Sequence, residues 1–173
     1  MPRQRKPQTD AGSPIDLDLR ARHTPEPLTP EMKRFDIFLI DTGWNSAVAK
    51  MVRTHLPTIF HYQEEDTLYI LSPEQSVALL KRAPECIGHD PIILVYDLHA
   101  PPQQRDRKYR GFRLNLGLMR SPDQALARLQ EFLRFIALHR TARDLSREVQ
   151  RELHREGFDG MVKIIREASN EFL

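Results

Sequence analysis

The chain has 173 residues, 40% of them hydrophobic and 29% charged, with a formal net charge of +2. This composition suits one folded domain with a real core and is unlike a disordered or membrane chain, since no run approaches the ~20 apolar residues that cross a bilayer. Cys86 is the only cysteine, which excludes an intrachain disulfide, a CxxC redox pair and a thiolate-rich metal site, and so small a net charge points to nucleic acid only where basic residues cluster.

Residues 1–31 hold six prolines among basic and polar residues. Such a stretch buries too little surface to offset its ordering entropy, so a disordered tail is expected. Met1 to Lys6 is not followed by the apolar run of a signal peptide, and the expected compartment is the cytoplasm. From Arg34 to Asp41 the chain is apolar on both faces except at Asp36, the pattern of a strand inside a covered sheet. Thr42 or Asn45 can cap the helix that follows. Its apolar positions Val48, Met51, Val52 and Leu56 recur at helical spacing up to Pro57, where the helix is expected to stop.

Two β-branched or aromatic runs, Thr58 to Tyr62 and Thr67 to Leu71, fit either a hairpin or an extended approach followed by one strand. Ser72-Pro73-Glu74-Gln75 carries the cap, first-turn proline, acid and glutamine of a helix start, and that helix should bury Val77, Leu79 and Leu80. Pro91 to Tyr96 reads as a buried strand. Phe112, Leu114, Leu116 and Leu118 alternate with Arg113, Asn115 and Gly117, as in a half-exposed strand that pairs antiparallel with the previous one or lies at an edge. Ser121-Pro122-Asp123-Gln124 repeats the cap chemistry before a long amphipathic helix that ends near Arg140. After Thr141 the spacing predicts two more helical stretches, one through Leu145, Val149 and Leu153 and one through Met161, Ile164, Ile165, Ala168 and Phe172. Their narrow stripes suit either a cap over the sheet or an arm for docking and homo-oligomerisation.

This order of elements resembles the thioredoxin fold over residues 34–138. Trp44-Asn45-Ser46-Ala47-Val48-Ala49-Lys50 lies where that family has Trp-Cys-Gly-Pro-Cys-Lys, with both cysteines missing, and His89-Asp90-Pro91-Ile92-Ile93 lies where it has a cis-proline before an apolar strand. In flavour the chain is similar to redox-silent members such as the KaiB type of clock protein, which bind partners. The resemblance implies a protein-binding role for the turn at Trp44, Asn45 and Ser46. A competing resemblance is to response-regulator receivers: Asp97-Leu98-His99-Ala100-Pro101 is similar to their phosphoacceptor segment, with Asp41 at the acidic metal-binding position. Here the acidic pair is reduced to Asp41-Thr42, and the later strand-end lysine is missing.

Two further groups could carry function. Arg105, Arg107, Lys108, Arg110 and Arg113 interleave with Tyr109 and Phe112, the composition of a phosphate-neutralising, base-stacking loop. Asp41, Asp97 and His99 close adjacent core strands and could share a crevice. No histidine pair has metal-ligand spacing. The expectation is therefore an α/β sandwich of thioredoxin-like type over residues 32–140, between the tail of residues 1–31 and a C-terminal helical extension over residues 141–173. Its expected role is a non-catalytic adaptor or regulatory protein, without cofactor or metal, that binds a protein partner. The alternative is a nucleic-acid-binding protein that uses the loop of residues 105–113.

Overall fold

The computed structural model describes residues 27–100, 109–153 and 161–166. Within them the chain forms a mixed α/β structure around one five-stranded sheet of order β2-β1-β3-β4-β5. Strand β1 (Phe35–Ile40) pairs in parallel with β2 (Thr67–Ile70) and antiparallel with β3 (Ile92–Asp97). Strands β4 (Tyr109–Asn115) and β5 (Val162–Arg166) continue the sheet antiparallel. Helices α1 (Ala47–Thr54), α2 (Leu56–Tyr62) and α3 (Pro73–Leu80) come before β3, and α4 (Pro122–Leu138) and the single turn α5 (Leu145–Glu148) follow β4.

Side chains alternate across the strands, so each strand feeds two cores. On one face Ile37, Leu39, Ile93, Val95, Phe112 and Leu114 pack with Val52 of α1 and Leu129, Phe132 and Ile136 of α4. On the other, Ile40, Ile92 and Leu94 meet Leu80, Ala83 and Cys86. Each large side chain buried this way stabilises the fold by about 1.5–3 kcal/mol. Local chemistry sets the helix starts: Ser72 makes a reciprocal capping box with Gln75, and Ser121 accepts from Gln124 N–H.

The structure corrects several expectations. Pro57 does not end a helix; α1 stops at Thr54 and Pro57 sits in the first turn of α2, where its missing N–H has no intrahelical partner to lose. Thr58 to Tyr62 is thus helical, and β2 is one strand rather than half of a hairpin. Val77 is exposed rather than buried. Strand β4 is buried, not half-exposed, because β5 pairs along its outer side.

That pairing also overturns the second C-terminal helix. Met161, Ile164 and Ile165 fit helical spacing, but Val162-Lys163-Ile164-Ile165 is a β-branched run beside an open strand, and tertiary pairing decides. Leu145 and Val149 are buried in the main core of this same chain, so their stripe is occupied internally and is not a free oligomerisation face. The expected boundary at residue 140 accordingly falls inside the packed body. Of the tail expected over residues 1–31, residues 1–26 lie outside the described residues, as does the segment of residues 167–173.

Four charged side chains close one end of the sheet. Arg34, 1% exposed, donates from Nε and Nη2 to the two carboxylate oxygens of Asp97 at 3.1 and 3.0 Å. Its Nη1 donates to the carbonyls of Arg140 and Ala142, which fixes the chain just beyond the end of α4. Arg140 in turn holds Asp66 through Nη1 at 2.5 Å and Nη2 at 2.9 Å, and reaches the Pro30 and Met32 carbonyls. Asp66 also accepts the backbone N–H groups of Arg34 and Phe35.

Removing one partner of such a pair leaves a buried charge without its counterion. The Asp97→Asn variant is expected to lose about 3–5 kcal/mol of stability, read as a lower urea midpoint with an unchanged slope. A loss below 1 kcal/mol would show that the Arg34 guanidinium does not depend on this carboxylate.

Candidate functional site

At the opposite end of the sheet, β1 runs into Asp41-Thr42-Gly43-Trp44 and then α1. Asp41 organises this turn: one carboxylate oxygen accepts Gly43 N–H at 2.9 Å and the other takes Arg53 Nε and Nη2 at 2.8 and 2.6 Å. Gly43 has φ of +83°, a left-handed conformation that favours glycine. The cap of α1 is Ser46, whose hydroxyl accepts Ala49 N–H at 3.0 Å, rather than Thr42 or Asn45. Thr42 is drawn inward, donating N–H and O–H to one oxygen of Asp90 at 3.2 and 2.5 Å. Trp44 is left outside, 74% exposed.

Asp90 is joined to Pro91 by a cis peptide bond at the head of β3. This loop is held by the chain leaving β4: Leu116 N–H donates to the Pro91 carbonyl and Gly117 N–H to the His89 carbonyl, both at 2.9 Å. The approach is close enough to require glycine, because a Cβ on Gly117 would stand 2.2 Å from the Asp90 oxygen. A 3-10 turn over Leu116–Leu118 then redirects Met119 and Arg120 toward the Trp44 turn.

Between these segments lies an open cleft of about 740 Å³. Trp44 and Val48 line it from the first turn, Val77, Leu80 and Lys81 from α3, and Ile87, Met119 and Arg120 from the later loops. Of the site residues expected from sequence, the structure brings Trp44 and Ser46 to this cleft, and Asn45 is exposed beside them. The residues that sequence reading missed are Lys81, Ile87, Met119 and Arg120. Of these only Ile87, a large apolar side chain next to the loop glycine Gly88, carried a signal in the sequence.

The crevice of Asp41, Asp97 and His99 does not form. Strands β1 and β3 are antiparallel, with Phe35 opposite Asp97 and Ile40 opposite Ile92, so Asp41 and Asp97 stand at opposite ends, ~20 Å apart at strand spacing. Asp41 is committed to Arg53 and Asp97 to Arg34, while His99 is exposed with its ring against the Lys33 carbonyl.

The basic loop is also divided. Arg105, Arg107 and Lys108 lie outside the described residues. Arg110 is exposed, but Arg113 is 0% exposed, its guanidinium 3.9 Å from Glu85, because β4 turns that position toward the face shared with Leu94 and Cys86. Tyr109 is buried too, and burial pushes its phenol well above the ordinary tyrosine value. Neither side chain offers a surface to phosphate or base.

Among the described residues no group of three or more His, Cys, Asp or Glu could hold a metal ion, and no helix is long and apolar enough to cross a membrane. No family model, no curated protein and no solved structure matches the chain.

Two outcomes test how the cleft is built. Gly117→Ala should destabilise the fold by about 1–3 kcal/mol, seen as a lower thermal midpoint, because its neighbours are backbone atoms rather than yielding side chains. An unchanged midpoint would mean that the His89–Pro91 loop can retreat freely.

His89, at the same loop, is held below the usual imidazole range by burial and then by the charges of Lys163 and Arg113. The unfolded chain then binds the proton more readily, so this group costs stability as pH falls through its unfolded value near ~6.5. Denaturation midpoints measured between about pH 7.5 and 5.5 should fall less steeply in His89→Gln than in the parent chain. Parallel curves for the two would remove His89 from the pH response.

Proposed function

We propose that this protein is a non-catalytic adaptor or regulatory protein that engages a protein partner through the Trp44 turn, and that its core is a redox-silent member of the thioredoxin-like class. The fold reading is supported by the strand order β2-β1-β3-β4, with β1 and β2 parallel and connected through helices, and by the cis bond of Pro91 at the head of β3. Strand β5 and α5 are additions to that plan.

The observation that carries the functional reading is the cleft itself. A tryptophan 74% exposed stands over an apolar trough, at the end of the sheet where α/β proteins place ligands. Large exposed aromatics beside apolar side chains mark contact surfaces, since tryptophan anchors are among the commonest hot spots of interfaces. Among the described residues, three hydroxyl or thiol groups near the cleft are committed elsewhere. Ser46 caps a helix, Thr42 is bound to Asp90, and Cys86 is buried in the second core. These commitments support a binding role for the cleft.

The test is purification of the tagged full chain from its own cells, with and without nuclease, beside a Trp44→Ala variant. A protein that co-elutes in fixed ratio after nuclease and is lost from the variant is the expected result. Recovery of nucleic acid alone, or of a partner indifferent to Trp44→Ala, would overturn the reading.

A further inference from the structure

The charge around the cleft specifies what kind of segment fits it. Lys81 lies at the C-cap of α3 and Arg120 just beyond the 3-10 turn, so both are on the rim. Both are exposed, and neither is ion-paired among the described residues. Asp90 is the one carboxylate in the lining, and it is turned inward to accept from Thr42. The nearby Asp41 is already neutralised by Arg53. A trough of Val48, Leu80 and Met119, overlooked by Trp44, is thus bracketed by two uncompensated cations.

We propose that the cleft takes an extended acidic segment of a partner protein, with one bulky apolar side chain seated in the trough and carboxylates on either side of it facing Lys81 and Arg120. This rests on the partner-binding reading above and adds the chemistry of the partner. The cleft is partly open to solvent, so an extended peptide can run across it with one side chain seated and its neighbours on the rim. Such a peptide suits the site better than single-stranded nucleic acid, which needs a row of cations and successive stacking rings, whereas Trp44 is the one aromatic side chain in the lining. Rim charges of this kind steer and select more than they hold, and the apolar anchor supplies most of the affinity.

The experiment is selection of a displayed library of random dodecapeptides against the full chain, in parallel against Trp44→Ala and against Lys81→Glu/Arg120→Glu. Both charge reversals fall on exposed side chains, and circular dichroism of the variant should match that of the parent chain. The expected winners carry Asp or Glu around a single large apolar residue and disappear with Trp44→Ala. Their affinity should fall about tenfold or more with the double reversal and weaken as salt rises. Winners that depend on Trp44 but are neutral or basic, or that are indifferent to the double reversal, would overturn the acidic-segment inference and leave the partner-binding reading standing. Absence of any Trp44-dependent winner would overturn both.

Discussion

Arg34, Asp66, Asp97 and Arg140 are drawn from four separate stretches of the chain and meet where β1 begins, β3 ends, β2 is entered and α4 terminates. Withdrawing four charges from water is costly, by several kcal/mol per ion even after relaxation, and attraction alone seldom repays it. Here the remaining valences are filled by backbone: Arg34 and Arg140 reach carbonyls on both flanks, and Asp66 receives two strand N–H groups. The guanidinium planes also stand 5.3 and 5.9 Å from the Phe35 ring centroid, which adds cation–π attraction. Alternative arrangements of these segments would leave charges buried without partners. The network therefore specifies where the ends of the elements must meet, besides whatever it contributes to stability.

The antiparallel register makes the molecule bipolar. The buried charge network collects at the Phe35–Asp97 end, and the opposite end, at Ile40–Ile92, is held by hydrogen bonds between its loops. The turn at Asp41, the loop at Asp90 and the bend at Gly117 brace one another without any buried ion pair. Surface at that end can vary in sequence at modest cost to the fold, provided the glycine contact and the Thr42–Asp90 bond persist.

What was legible in the sequence was local. Ser72 and Ser121 announce their helices because a capping serine, a first-turn proline and a glutamine three residues on act within one turn of backbone. Strand β3 is legible because six successive residues are too apolar to lie anywhere but inside. Pro57 misled as a helix stop, since a proline serves as well in the first turn of a helix as after the end of one. The strand at Val162 to Arg166 was hidden because its apolar spacing satisfies two periods at once and only the open edge of β4 decides between them. Arg113 looked like part of a basic surface until strand alternation placed it inward opposite Leu94. The cleft was half legible: the Trp44 turn is continuous in sequence, but Lys81, Ile87 and Arg120 come from three other segments that only the sheet direction brings together.

Trp44 is the single tryptophan of the chain, and it stands in water at the mouth of the cleft rather than in either core. Its fluorescence is accordingly almost blind to unfolding, because the indole is already solvated in the native state. The same indole is a selective optical reporter of the cleft: any occupant that dries it shifts its emission to the blue while the cores contribute nothing to the signal. A titration of the untouched protein can therefore be read without a label, whereas the stability of the cores must be followed through the backbone.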